Sequence, residues 1–404
     1  SIDQNEGKSK ITNALSNFSK GNTYLIFGSS LIVIFLSIFG ISKLEVENSF
    51  INYFDQKTEI YKGMKKIDDQ LGGTTPLDVI LKFPSTENKK KKDDEFSEWE
   101  EDTSSDEDDL SKYWFTRNKI DKILKVHDYL DSLPEIGKVI SFGSIIRVAE
   151  DLTGGKLETL EAGVLYSKIP NEIKQEIISP YISVKDNEAR ISVRIKDSLK
   201  DLRRNDLIKK INIELKSKVG LAEGEYKLAG VLILFNNLLQ SLFKSQILTL
   251  GVVMMGISSM FLILFRNLTL SVIGVVPNFM AAFFILGIIG LLGIPLDMMT
   301  ITIAAITIGI AVDNSIHYIY RFKEEFEKIR NYNKTVDRCH STVGVAILNT
   351  SITIVFGFSI LVLSNFIPTI YFGVFTGIAM LLALISVLTL LPKLIIVLKP
   401  FGNE

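Results

Sequence analysis

Little in this 404-residue chain invites reading it as an enzyme or a nucleic-acid binder. It has one cysteine, Cys339, which excludes an internal disulfide framework and a cysteine-rich metal site. Its three histidines, His127, His317 and His340, stand far apart and lack metal-ligand spacing. Neither sign of charge dominates: 45 basic residues face 46 acidic ones, so bulk charge offers nucleic acid nothing. Charged residues make up only 23% of the chain and apolar ones 47%, which excludes a wholly disordered polymer. No stretch carries the spacing of a catalytic triad, a phosphate loop or a metal site. The sequence therefore predicts no catalytic residues, no metal and no cofactor.

What the chain does have is long apolar runs. A helix crossing the hydrocarbon core needs about 20 mostly apolar residues. Six stretches qualify: 24–42, 247–265, 268–292, 298–320, 343–363 and 370–398. So many runs of this length are hard to bury in a soluble core. The first follows a polar lead and has no convincing small-x-small cleavage site, so it reads as a retained span rather than a signal peptide. The expected architecture is a polytopic α-helical membrane protein with one helix, a large domain, and then five helices. Its parts are a lead (1–23), the first span (24–42), the inserted domain (43–246), the five-helix bundle (247–398) and a tail (399–404).

Basic residues in short loops set orientation. Lys8, Lys10 and Lys20 lie in the lead, Arg266 lies between the second and third spans, and Lys399 lies in the tail. The loop after the fourth span holds Arg321, Lys323, Lys328, Arg330, Lys334 and Arg338. The opposite loops, 293–297 and 364–369, have no Lys or Arg. Both termini are expected in the cytoplasm, with the large domain outside it.

Within that domain, 72–82, 138–142 and 226–231 read as strands and 117–133 and 199–219 as helices. Segments 179–184 and 189–195 read as a hairpin around Lys185-Asp186-Asn187. Interleaved helices and strands predict an α+β domain with its helices on one sheet face. The run 88–111, with its lysine and acidic blocks, reads as a disordered, solvated insertion. Segment 321–338, with Phe322, Phe326 and Ile329, has the spacing of an interfacial amphipathic helix.

One residue is expensive where it stands. Asp313 lies eight residues before Arg321, about 12 Å along a helix, and fifteen after Met298, about 22 Å. An ionisable group at such depth costs about 2.5–3.5 kcal/mol and normally faces the bundle interior or a wet path. Burial disfavours its charged form, bringing proton uptake and release within reach, as a relay requires. Thr302, Ile306, Gly309, Asp313 and His317 share one helical face, and that face is expected to point inward. Gly309 would let another backbone approach closely. On the fifth span, Thr342, Ala346, Asn349, Thr353 and Gly357 form a similar stripe, which could hydrogen-bond with Asp313. The relay candidates are Asp313, Asn314, His317, Asn349 and Thr353, and the packing candidates are Gly309 and Gly357. Plain helix packing is the alternative for the residues of the fifth span, and an interfacial position the alternative for His317. Pro277 predicts a kink in the third span.

With these residues in view, the chain resembles the resistance–nodulation–division superfamily, in its lipid-exporter branch (MMPL or hopanoid-exporter type, related to Patched). The stretches that carry the resemblance are LGIPLDMMTITIAAITIGIAVDNSIHYIYRFKEEF, 292–326, and SITIVFGFSILVLSNFIPTIYFG, 351–373. It implies export of lipidic or hydrophobic molecules out of the inner membrane, driven by a proton gradient without any cofactor, with Asp313 as the relay. It also implies an extracytoplasmic porter domain of βαβ subdomains. Membrane lipids and the hydrophobic substrate are the expected partners, with no role for nucleic acid. Members often carry an aromatic residue or a second acid where Asn314 stands, and they usually contain the six-span unit twice. A second six-span repeat or a homodimer partner is therefore implied. The competing readings are a protein-export accessory subunit of the SecD/SecF kind and a non-transporting, sterol-sensing-like lipid receptor.

Overall fold

The structure is a computed structural model in which residues 10–46, 51–84, 114–156, 159–199 and 202–402 are described, and the insertion 88–111 lies outside them. In chain order the helices and strands are α1 (Lys10–Gly21), α2 (Thr23–Ile41), α3 (Glu59–Gln70), β1 (Thr75–Lys82), α4 (Arg117–Asp131), β2 (Ile136–Ile140), α5 (Phe142–Thr153) and α6 (Thr159–Lys168). There follow β3 (Ile182–Ser183), β4 (Glu188–Ile195), α7 (Arg204–Ser217), β5 (Tyr226–Ala229), α8 (Val231–Phe265) and α9 (Leu268–Leu291). The last four are α10 (Ile303–Ile329), α11 (Tyr332–Ser341), α12 (Val343–Ser359) and α13 (Ile367–Leu398). The chain divides into two compact units, residues 1–48, 52–55 and 239–404, and residues 49–51 and 56–238.

The second unit is built on an antiparallel sheet of order β2-β4-β1-β5, with β3 paired to β4. Alternation decides its faces. Leu77, Val79 and Leu81 of β1 point the same way as Ala189, Ile191, Val193 and Ile195 of β4, and all are buried. Ile120, Ile123, Val126 and Leu130 of α4 and Leu207, Ile211 and Leu215 of α7 join the same core. Sheet and helices together make the split βαβ arrangement. The helices cover one face, as the sequence predicted, while the other pairs Arg190 with Asp78 at 2.9 Å. The hairpin turn places Asn187 at φ 54°, a left-handed backbone that Asn tolerates. Its amide then donates to the carbonyls of Phe83 and Pro84 and accepts from Trp114 Nε1 at 2.7 Å. Asn187 thus joins Phe83 and Pro84 to Trp114.

Among the described residues six helices are long and apolar enough to span a membrane, and the protein is a multi-pass membrane protein. α9 and α13 form its buried middle, whereas α2, α8 and α12 bury little. α2 and α9 touch at backbone distance, because a Cβ on Gly40 would collide with the Gly287 carbonyl. α9 continues through Pro277.

Three sequence expectations change. The helix of the second span begins at Val231 rather than near 247, because Asn236, Asn237, Gln240 and Lys244 are too polar for a hydropathy run yet do not stop a helix. The lead contains an amphipathic helix, α1, whose Ser16 and Lys20 both reach Asp337 of α11. Segment 321–338 is no single interfacial helix: α10 runs on to Ile329, Arg330 turns left-handed at φ 53°, and α11 starts after the Asn331 cap. Phe322 and Phe326 are buried against Tyr332 and Phe401. That aromatic cluster accounts for their spacing.

Candidate functional site

α10 is set by its ends. Before it, the Asp297 carboxylate accepts the N–H groups of Met299 and Thr300 at 2.8 and 2.7 Å, placing negative charge on unpaired helix donors. Between its ends the helix has two faces of different character. The wider one carries Ile303, Ala304, Thr307, Ile308, Ala311, Val312, Asn314, Ser315, Tyr318, Ile319 and Phe322, all buried. Ser315 Oγ accepts from Asn278 Nδ2 of α9 at 2.9 Å, and the same amide also donates to Gly274 O. Sequence reading missed this buried bond, although an asparagine inside an otherwise apolar span was the available signal.

The narrower face holds Gly309, Asp313, His317 and Tyr320, all exposed. Asp313 and His317 meet: Nε2 stands 3.4 Å from Oδ1, with side chains 65% (His317) and 73% (Asp313) exposed. The stripe therefore shares a face as its spacing predicts, but that face points out of the six-helix unit, not into it. The reason is competition for burial. Ile308, Val312, Tyr318, Ile319 and Phe322 on the other face join one core with α9 and α13, and Gly309, Asp313 and His317 are left outside. Periodicity identifies which residues share a face and is silent on where it points.

α12 shows the same pattern. Ala346, Asn349, Thr353 and Gly357 are exposed, and Thr353 Oγ1 donates to the Asn349 carbonyl at 2.9 Å. The expected link from Asn349 to Asp313 is not among the contacts of the described residues. Among the described residues nothing approaches the Cβ positions of Gly309 or Gly357 within 4 Å, so neither glycine packs closely against another element there. Asn314, the remaining relay candidate, lies on the buried face of α10.

Chemically, the pair can hold one proton on either partner: a carboxylic acid beside a neutral imidazole, or a carboxylate beside an imidazolium. Among the described residues, no three or more His, Cys, Asp or Glu side chains gather to hold a metal ion.

Residues 131–402 match the MMPL family. A protein of Methanocaldococcus jannaschii described as a membrane protein is 25% identical, over 96% of this chain and 94% of its own length. Six membrane-length helices, an α+β domain inserted after the first of them, and a family match over more than half of the chain agree: this protein belongs to the MMPL family.

Proposed function

We propose that the protein is a proton-driven exporter of lipidic or hydrophobic molecules, in which Asp313 takes up and releases the coupling proton with His317 as its neighbour. Membership of the MMPL family supports a membrane transporter role and fits a protein that is not an enzyme. The observation that carries the finer reading is the open Asp313–His317 pair within a membrane-length helix. A carboxylate presented to lipid costs about 2.5–3.5 kcal/mol, so that face has to be covered or wetted in the working protein. We assign the cover to a second copy of this chain, α10 against α10 with α12 beside it. The bare glycines of both helices favour close backbone approach. In this reading both termini are cytoplasmic and the sheet-bearing unit acts outside as a porter domain, as the basic loops suggest.

The test is reconstitution into lipid vesicles with an imposed proton gradient, following the loss of labelled lipid from one leaflet. Wild-type protein speeds that loss only with the gradient, and Asp313→Asn abolishes the acceleration while leaving the fold intact. Transport at the wild-type rate in Asp313→Asn overturns the reading. Lipid binding that is indifferent to the gradient would instead indicate a receptor.

A further inference from the structure

Away from the open face of α10, one buried titratable group has no part in the export reading. His340 is fully buried in the last turn of α11. Its Nε2 lies 2.9 Å from the Leu388 carbonyl oxygen of α13. Its Nδ1 lies 3.0 Å from the Val336 carbonyl oxygen of its own helix and 3.1 Å from Tyr318 Oη of α10. On the remaining side Gly344 of α12, lacking a side chain, sits close to its Cβ.

The proton count at this ring is unusual. A neutral imidazole has one N–H, and a carbonyl oxygen only accepts. The bond to Leu388 requires the hydrogen on Nε2. Nδ1 is then a bare lone pair that takes the Tyr318 hydroxyl hydrogen, while the Val336 carbonyl beside it receives nothing from the ring. A second proton on Nδ1 would satisfy Val336 and displace the hydroxyl hydrogen of Tyr318, which is itself fully buried. The protonated ring thus fits both carbonyls, and the neutral ring fits Tyr318.

We infer that His340 is a proton-binding site, and that its occupancy sets the hold of α11 and α13 on α10. Proton uptake reverses the Tyr318 bond and leaves a buried hydroxyl hydrogen without its acceptor. That biases α10, the helix carrying Asp313, toward a different seating. Burial pushes the His340 pKa down from 6.5, more than the Leu388 and Val336 carbonyls and Asp337 draw it back, and Lys20 adds to the downward push. The other groups facing this corner are Cys339, whose thiol burial pushes up to about 12, and Lys393 of α13, which donates to the Lys20 carbonyl at 3.0 Å. α12 contributes no charged side chain. The folded protein therefore binds fewer protons here than the unfolded chain below the ordinary histidine range. Its stability falls as the pH drops from about 6.5 toward the lowered value.

The site stands apart from export and is tested without it. The full chain is placed in lipid nanodiscs with ring-labelled histidine, and His127→Gln and His317→Gln identify the His340 signal. Its titration is followed by NMR from about pH 8 to about pH 4.5. We expect a midpoint below 6.5. Tyr318→Phe should move that midpoint upward, since the neutral ring loses its donor. A His340 signal that stays neutral throughout, or a midpoint unmoved by Tyr318→Phe, overturns the inference. His340→Gln should also remove the loss of thermal stability that sets in below about pH 6.5 and lies above the carboxylate range. If that variant fails to fold, the Tyr318→Phe midpoint still decides.

Discussion

In the sheet-bearing unit, Asp68 and Asp197 are each 1% exposed and surrounded by donors. Asp68 accepts the backbone N–H groups of Thr74, Asp197 and Ser198 at 2.8–3.0 Å, and the Thr74 hydroxyl as well. Asp197 pairs with the buried Arg204 and accepts from Thr75 and Ile51. In the helical unit, Asp313 lies in a span with 73% of its side chain exposed and a histidine 3.4 Å away. The first pair of acids is sealed where water would have been available. The other acid is open where lipid would surround it. A buried acid with its donors in place is structure, whereas the acid left open on a membrane-length helix is the one on which the proposed proton coupling rests.

That contrast can be broken by substitution. The largest effect expected is at Asp197: Asp197→Ala strands a buried guanidinium and should destabilise the sheet-bearing unit by about 3–5 kcal/mol, read as a lowered thermal midpoint. A drop as small as that of an exposed substitution would mean that the sealed acids are not structural. A second effect follows from pH. Burial pushes the Asp68 carboxyl up, but the hydrogen bonds from Ser198, Asp197 and Thr74 outweigh it and hold it below 3.8. A lowered carboxyl contributes stability that is present above 3.8 and lost as the pH falls through the folded-state value. Acid unfolding should therefore set in below about pH 4, and Asp68→Asn should flatten that limb of the stability curve. The smallest effect sharpens the contrast from the other side. Deleting 88–111 with a short linker should change stability by no more than about 0.5 kcal/mol. Asn187 already ties Pro84 to Trp114, so the deletion leaves the neck intact.

The sheet was readable because strand alternation and the Lys185-Asp186-Asn187 turn are local signals that need no knowledge of the rest of the fold. The spans were readable from length and hydropathy alone. α1 was missed because a short amphipathic helix with serines and a lysine looks like a polar lead until α11 and α13 are there to pack against. The start of α8 was missed because hydropathy measures lipid preference, not helix continuity. The site was half legible. Gly309, Asp313 and His317 do share a face, but its direction depends on which residues of α10 win burial against α9 and α13. His340 gave no signal at all. A buried histidine is defined by three carbonyl and hydroxyl groups that sit 4, 22 and 48 residues away.

The most direct test of the account is whether two copies meet across the open face of α10. Gly309→Cys in a Cys339→Ser background places the one thiol of the chain on that face, beside Asp313, in native membranes. Mild oxidation should give a covalent dimer, with little product from a cysteine placed instead on the buried face at Ala311. Protein that stays monomeric while the Gly309→Cys thiol is freely labelled by a lipid-soluble maleimide would contradict it, because Asp313 would then face lipid with no partner.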